Sequence, residues 1–456
     1  MIVVAALLFY AAALIAIAVL SWKRDASMDD FLVAGRKQKK LFVTASMLAS
    51  TIGGGITIGT VQKASAMGFP AFWFVAAGGI AHFLQGLLLS RKVRDSQALT
   101  LADLAERTSG PAARKLTSAI VLITWIGIAA AQFVAVARVL ATLVGLAHAP
   151  AVVIAAVFIT VYTLIGGQKS VLRTDLFQFG LLAFAVVATL AWLFLADPPA
   201  RPVSVELFTA SFGPLDLLYY VAVMGGSYFI CPMMFSRILS ADTGANARKS
   251  SFMSGTGMFG FAFALTFIGL WVRASGFDAG TLDPLNAIAA SVLPKPLGVV
   301  LVFGLLAAIV STTDTVLLTA ASIVQNDLIH KPSVPFVRVW TIVVGAVGAS
   351  VALFHRDVIG LLMKTYNGYT AGLVPALFVA IMFAKFEGGS SVRRPRPALF
   401  AAAIIGGYAL GTAGSFAGGG PLGKTLPLAG MFVSAALSLA AYGAPIKPNE
   451  RATIGR

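Results

Sequence analysis

Residues 49–57 of the chain read Ala-Ser-Thr-Ile-Gly-Gly-Gly-Ile-Thr, and they lie in the middle of the long apolar segment 41–66. That segment is long enough to cross a membrane as a helix. Three consecutive glycines weaken a helix, because glycine loses more backbone freedom on folding than any other residue. The glycines alone leave two interpretations open, a helix that is unwound at this point and a site of tight helix packing.

The composition of the whole chain is that of a helical membrane protein. Of its 456 residues, 58% are hydrophobic and only 11% are charged. These proportions exclude an ordinary soluble enzyme and a disordered chain, and the long apolar runs exclude a membrane barrel with alternating strands. The single cysteine, Cys231, excludes an internal disulfide and a cysteine-based metal site. We therefore predict an all-α polytopic membrane protein.

The apolar segments predict about 13 transmembrane helices. The first segment has no basic stretch before it and is followed by Lys23 and Arg24, so we interpret it as an uncleaved helix rather than a signal peptide. The segments lie at residues 2–22, 41–66, 70–90, 116–146, 150–166, 175–196, 216–236, 251–273, 296–327, 336–354, 357–384, 397–417 and 425–443.

The 34 Lys and Arg residues are unevenly distributed among the loops. If the first segment runs inward, 26 of them, Arg237 included, fall on the inner side and five on the outer side. This bias predicts an outside N-terminus and a cytoplasmic C-terminus, and it explains the net charge of +16 without a nucleic-acid partner. The outer five are Arg201, Arg273, Lys295, Arg356 and Lys424, and the apolar segments contain Lys63, Arg138 and Lys364.

A second polar stretch, Ala308-Ile-Val-Ser-Thr-Thr-Asp-Thr315, lies within the segment 296–327. Ala308, Ser311 and Thr312 share one helix face at this spacing, so two hydroxyls and a carbonyl could form an oxygen site for sodium. An unwound helix at residues 53–55 would add carbonyl oxygens at the negative end of its first half. The residues alone also allow hydroxyls that simply bond to the preceding helical turn.

Asp314 is the only carboxylate deep within a predicted span, which makes it a candidate functional residue. It could ligate a cation, carry a proton or pair with a basic residue such as Arg138. Arg138 could instead bind a substrate carboxylate or extend to the membrane surface. His82 and Gln85 could contact a substrate or form hydrogen bonds between helices.

Four stretches, spread in order over residues 30–327, give the chain a resemblance to the sodium:solute symporter family. They are Asp30-Phe-Leu-Val-Ala-Gly-Arg36, Tyr162-Thr-Leu-Ile-Gly-Gly-Gln-Lys-Ser-Val-Leu-Arg-Thr-Asp175, Arg237-Ile-Leu-Ser-Ala241, and Ala307-Ala-Ile-Val-Ser-Thr312 with Asp327 downstream. The second is similar to the family's Y-T-x-x-G-G-x-x-A-V-x-x-T-D loop, with Ser170 in place of the usual alanine.

The resemblance implies a five-plus-five inverted-repeat fold of the leucine-transporter type. The implied regions are a leading helix and cytoplasmic loop at 1–40, repeats at 41–196 and 216–384, and two extra helices with a cytoplasmic tail at 397–456. It also implies a sodium site formed by the carbonyls of Ala49, Ile52 and Ala308 and the hydroxyls of Ser311 and Thr312. A second cation site in some family members corresponds to Asp175, Asp314 and Thr315, although those members favour serine where this chain has Asp314.

The function that the resemblance implies is sodium-coupled symport of a small organic solute by alternating access, in the plasma membrane and without a cofactor. Arg138 favours an anion or a zwitterion as the solute. The alternatives are proton coupling through Asp314 and a non-transporting membrane sensor, whereas a membrane enzyme is not predicted. The oligomeric state is not predicted. The candidate substrate residues are Thr51, Gly54, Thr57, Gln85, Arg138, Ser227, Tyr228 and Tyr366.

Overall fold

The computed structural model describes residues 2–21, 27–280, 282–355, 358–387, 390–391 and 393–443. Within these ranges the chain is all-helical apart from one short antiparallel pair, β1 (Phe386–Glu387) and β2 (Ser390–Ser391). Some residues of the predictions lie outside the described ranges. They are the loop charges Lys23, Arg24 and Arg356, and residues 444–456 of the predicted cytoplasmic tail. The all-α prediction is confirmed.

The helices follow one another with short connections. They are α1 (Ile2–Ser21), α2 (Met28–Val33), α3 (Lys40–Thr51), α4 (Gly54–Met67), α5 (Trp73–Leu88), α6 (Ser90–Asp95), α7 (Leu101–Ser109), α8 (Pro111–Val144), α9 (His148–Leu195), α10 (Pro214–Tyr219), α11 (Gly225–Phe229), α12 (Pro232–Ser240), α13 (Gly244–Ser275), α14 (Pro284–Ser291), α15 (Lys295–Ser322), α16 (Val334–Phe354), α17 (Val358–Phe383), α18 (Pro397–Phe416) and α19 (Pro421–Gly443). Short 3₁₀ turns occupy Ala34–Arg36 and Phe69–Phe72, and π-helical turns occupy Tyr220–Met224 and Ile323–Leu328.

Among the described residues, ten helices are long and apolar enough to cross a membrane, or up to twelve when each of two bent pairs counts as one span. The apolar part of α1, Leu7–Leu20, is shorter than the roughly 20 residues that a membrane-spanning helix needs. The structure therefore confirms a polytopic membrane protein, while the figure of 13 spans stays a prediction.

The first bent pair is the segment that contains the glycine run. Helix α3 ends at Thr51, helix α4 begins at Gly54, and their axes differ by 57°. Ile52 and Gly53 leave the helical conformation, with ψ values of 65° and −178°. The segment predicted at 41–66 is thus a helix that is broken near its middle.

The second bent pair was predicted as one uninterrupted segment, 216–236. The structure instead breaks it after Phe229, where Ile230 leaves the helical conformation and Cys231 is extended, and the two parts meet at 43°. Pro232 begins the second part, because proline lacks an amide hydrogen and fits the first turn of a helix. Gln85 Nε2 donates to the freed carbonyl of Phe229 at 3.1 Å.

Two helical parts meet directly at Gly167, where a loop is expected between the segments 150–166 and 175–196. Helix α9 is interrupted only at Gly167, whose φ of 58° lies in the left-handed region that glycine tolerates. A Cβ atom at Gly167 would lie 2.6 Å from the Phe31 ring. Residues 168–174 are helical, which places Asp175 inside the protein rather than at its surface.

Helix α15 lies at the centre of the protein, in contact with α3, α8, α9 and α16. Its polar stretch from Ser311 to Thr315 is buried, with at most 4% of any of these residues exposed. Buried hydroxyl and carboxyl groups are costly without hydrogen-bond partners, and most of the partners of this stretch come from the protein itself. The partners come from α3, α9 and α12, and they define the candidate site.

Arg237 corrects the charge analysis. The sequence places it among the inner loop charges, but its side chain is fully buried in the last turn of α12. Arg36 and Arg94, also from the predicted inner side, do lie near loops and donate to the carbonyls of Ala98 and Ala241 at 3.0 and 2.6 Å. One buried residue does not reverse the bias of the remaining charges.

The orientation of the chain can be tested with two added cysteines. Ser204 and Lys331 are exposed at opposite predicted sides, and the natural Cys231 is buried and should stay silent. In intact cells a membrane-impermeant thiol reagent should label Ser204→Cys, and it should label Lys331→Cys only after permeabilisation. Labelling of Lys331→Cys in intact cells would contradict the predicted orientation.

Candidate functional site

The residues proposed to bind sodium lie where the broken helix meets α15. Ala49, Ile52, Ala308, Ser311 and Thr312 are all buried. The Thr312 hydroxyl lies 3.0 Å from the Ala308 carbonyl oxygen and 3.3 Å from the carbonyl oxygen of residue 50, at the end of α3. The structure thus brings the two halves of the predicted cluster together.

Oxygen atoms with spare acceptor capacity are present on both sides of this junction. The last carbonyls of α3 have no partner within their helix, and they carry the negative end of its dipole. The Ser311 hydroxyl donates its proton to Asp175 Oδ1 at 2.6 Å, which leaves the oxygen lone pairs available. An arrangement of carbonyl and hydroxyl oxygens suits a hard monovalent cation such as sodium.

The first two glycines of the run permit the close approach of the broken helix to α15. A Cβ atom at Gly53 would lie 2.5 Å from Thr312 Oγ1, and one at Gly54 would lie 2.4 Å from Ile309 Cγ1. Real Cβ atoms do not approach other atoms so closely, so any larger residue would push α15 away from the broken helix. The glycine positions are therefore needed for the geometry of the cluster.

A buried ion pair adjoins the cluster. Arg237 on α12 and Asp175 on α9 are both fully buried, and Arg237 Nη2 lies 3.2 Å from Asp175 Oδ2. The guanidinium also donates to the hydroxyls of Ser46, Ser50 and Thr315 at 2.9, 2.7 and 2.6 Å. The pair therefore ties α12 to α3, α9 and α15.

The candidate second cation site consists of Asp175, Asp314 and Thr315, and the structure places Arg237 among them. The guanidinium is bonded to two of the three residues, which sequence reasoning did not foresee. Asp314 accepts from the Thr315 hydroxyl through Oδ1 at 3.2 Å, whereas no described residue is hydrogen-bonded to its Oδ2. The charged side chains that act on Asp314 are those of Asp175 and Arg237.

A central cavity lies beside the glycine run. Thr51, Tyr228 and Tyr366, three of the candidate substrate residues, line it. Gly53 and Thr312 line it as well, so the cavity and the candidate sodium cluster share a wall. Gln132, Phe74 and Met224 also line it and were not predicted, because only the folded chain brings their helices to this point.

The other candidate substrate residues do not line this cavity. Gly54 and Arg138 line a separate space. The hydroxyls of Thr57 and Ser227 donate to backbone carbonyls within their own segments, at 3.0 and 2.7 Å. Gln85 lies at the second helix break, bonded to the Phe229 carbonyl.

Two further polar residues of the predicted spans have contacts within the protein. His82 Nδ1 lies 2.8 Å from the Ser254 hydroxyl. Of the two alternatives for His82, this contact is the hydrogen bond between helices. Lys63 Nζ lies 3.2 Å from the Tyr220 hydroxyl and 5.5 Å from the centre of the Phe74 ring. A cation over an aromatic face is stabilised by the ring quadrupole, so Lys63 has partners within the protein.

Two helices that are broken near their middle, packed on a central hydroxyl-bearing helix beside a cavity, define a secondary membrane transporter. In solved structures the fold is similar to a sodium-coupled sialic acid symporter in a substrate-bound outward-open state, with a TM-score of 0.77, 17% identity and coverage of 98% of this chain and 99% of that one. It is also similar to Mhp1, a nucleobase-cation-symport-1 family transporter, with a TM-score of 0.58, 15% identity and coverage of 90% and 93%.

The profile of the Sodium:solute symporter family matches residues 31–389, and the chain belongs to that family. The Sodium/proline symporter of Escherichia coli (strain K12) is 24% identical over 424 residues, 82% of each chain. The High-affinity choline transporter 1 of Torpedo marmorata is 24% identical over 84% of this chain and 72% of its own. The chain is a sodium-coupled symporter of a small solute that works by alternating access.

The close approach at Gly53 can be tested by adding one methyl group. Gly53→Ala should displace the Thr312 hydroxyl and weaken sodium binding by on the order of tenfold, which corresponds to about 1.4 kcal/mol. The measurement is the sodium dependence of the thermal stability of the purified protein. Gly260→Ala is the matched control, since no atom lies within 4 Å of a Cβ placed there. Unchanged sodium dependence in Gly53→Ala would contradict the role of this contact.

Removal of Arg237 and removal of Asp175 should reduce the stability of the protein by different amounts. Arg237→Gln leaves two buried carboxylates without a counter-charge and should destabilise the protein by about 3–5 kcal/mol. Asp175→Asn should cost less, because Arg237 still faces Asp314. Adding Asp314→Asn to Arg237→Gln should restore part of the loss. Thermal unfolding measures these differences, and equal losses with no restoration would show that the three charges do not act together.

Proposed function

We propose that the coupling sodium binds to the carbonyls of Ala49, Ile52 and Ala308 and the hydroxyls of Ser311 and Thr312. The observation that carries this proposal is the position of Thr312, whose hydroxyl reaches the end of α3 as well as its own helix. A cation at this junction is held by two elements at once. It therefore stabilises the arrangement in which the broken helix lies against α15.

The shared wall gives sodium a way to act on the substrate. Thr312 is a proposed sodium ligand, and Gly53 lies against it. Both residues also line the central cavity. A sodium ion that fixes these residues also fixes the cavity. Substrate binding at Thr51, Tyr228 and Tyr366 is then favoured when sodium is present, as coupled transport requires.

The charge of the cluster is balanced by one sodium ion. Asp175 and Asp314 supply two negative charges and Arg237 one positive charge, so the buried group carries one unbalanced negative charge when both carboxyls are ionised. Ser311 connects Asp175 to the proposed sodium site. We propose a single coupling sodium, because the Arg237 guanidinium already serves as the cation at Asp175 and Thr315.

The substrate proposed for the cavity is a small neutral or zwitterionic solute. In the described part of the chain, none of the residues that line the cavity carries a charge near neutral pH. Arg138, which favoured an anion, lines a different space. A zwitterion agrees with both observations, because its net charge is zero and its polar ends can meet uncharged hydrogen-bonding groups.

The membrane placement proposed for the symporter is the plasma membrane, with the N-terminus outside and the C-terminus in the cytoplasm. The basic loops support this orientation. The side that contains α2, α6 and α7 is then cytoplasmic, and it is held by Arg36 and Arg94 through bonds to neighbouring loops. No cofactor is proposed beyond sodium itself.

Proton coupling through Asp314 is the second candidate mechanism. The observation in its favour is the buried Oδ2 atom of Asp314, to which no described residue is hydrogen-bonded. A proton there would balance the same negative charge that sodium balances in the first mechanism. Cation replacement separates the two, since uptake that survives without sodium and is lost in Asp314→Asn would support the proton.

The test of the sodium site is the thermal stability of the purified protein in sodium and in potassium. Sodium should raise the unfolding temperature with a Hill coefficient near 1, because it binds the folded state at one site. The double variant Ser311→Ala with Thr312→Ala should lose this rise. Retention of the full sodium effect in the double variant would refute the site, and a Hill coefficient near 2 would refute the single sodium.

A further inference from the structure

One polar group of the central cavity has no partner in the protein. Gln132, on α8, lines the cavity and is only 3% exposed. Among the described residues, none is hydrogen-bonded to its side-chain carbonyl oxygen, Oε1. A buried carbonyl without a hydrogen bond is unfavourable, so its position at a cavity wall indicates that a ligand supplies the donor.

The start of α4 belongs mainly to the neighbouring space. Gly54 and Gly55, whose amides begin this helix, line that space together with Arg138. The central cavity is lined there by Gly53 and by Ile56, whose amide already donates to the Gly53 carbonyl at 3.0 Å. Recognition in the central cavity therefore depends on side-chain groups such as the Gln132 amide.

We infer that the Gln132 carbonyl accepts a hydrogen bond from an N–H group of the transported solute. The solute is then a small zwitterion whose ammonium group bears hydrogen and faces Gln132. This inference rests on the proposed use of the central cavity as the substrate site. It makes Gln132 a specificity-determining residue.

The inference separates two kinds of ammonium compound. The cavity contains the aromatic rings of Phe74, Tyr228 and Tyr366, which can also attract a quaternary ammonium ion. A quaternary nitrogen has no N–H and would leave Gln132 Oε1 unpartnered. Of the substrates in the names of its relatives, proline carries an N–H group on its nitrogen and choline does not. We therefore expect this symporter to select against permethylated nitrogen.

The experiment compares amine and permethylated forms of the same solutes. Binding of L-proline and L-alanine, and of their fully N-methylated analogues, is measured on the purified protein in sodium. At least one amine form should bind about tenfold or more tightly than its methylated analogue. Gln132→Leu should reduce this ratio to about one. Gln178→Leu, which removes a buried amide bonded to the Tyr10 hydroxyl on another helix, should leave the ratio unchanged.

The outcomes also distinguish the inference from the proposed sodium site. Gln132→Leu should keep the sodium-dependent rise in unfolding temperature, which shows that the variant is folded. Equal or tighter binding of the methylated forms by the parent would overturn the inference, and so would a ratio that Gln132→Leu does not change. Absence of binding by both amine forms, with the sodium effect intact, would overturn the substrate class alone.

Discussion

The contact between the broken helix and α15 is the constraint on which the rest of the structure depends. Gly53 and Gly54 allow a backbone approach that no side chain would permit, with a Cβ at Gly53 only 2.5 Å from the Thr312 hydroxyl. The break leaves helix carbonyls without partners, and the approach places them beside α15. The two interpretations of the glycines, an unwound helix and tight packing, are therefore both correct and depend on each other.

The buried charges add a second constraint, because ionised groups in a membrane protein are expensive unless they are paired and hydrogen-bonded. Arg237 meets this requirement through Asp175 and three hydroxyls from α3 and α15. It reaches them because α12 begins anew after the second break. Any movement of α12 relative to α3 and α15 must exchange these bonds, so the second broken helix is mechanically linked to the first.

The sequence was sufficient for the class of fold, since long apolar segments and a loop charge bias depend only on local composition. It was also sufficient to pair the glycine run with Ser311 and Thr312 as one candidate cluster. It did not reveal the break at Ile230, because Pro232 after an apolar run is equally compatible with the end of a helix. The positions of Arg237 and Gln132 depend on which helices meet, and a single sequence carries no direct signal of such long-range contacts.

Coupling between sodium and solute follows from where the proposed ligands lie. A ligand shifts a conformational equilibrium only by the difference between its affinities for the two states. Ligands that come from both α3 and α15 supply such a difference, because the set is complete only while the two elements are in contact. Gly53 and Thr312 also form the cavity wall, so the same movement that disperses the sodium ligands changes the substrate site. By linkage, the factor by which sodium strengthens solute binding must equal the factor by which the solute strengthens sodium binding.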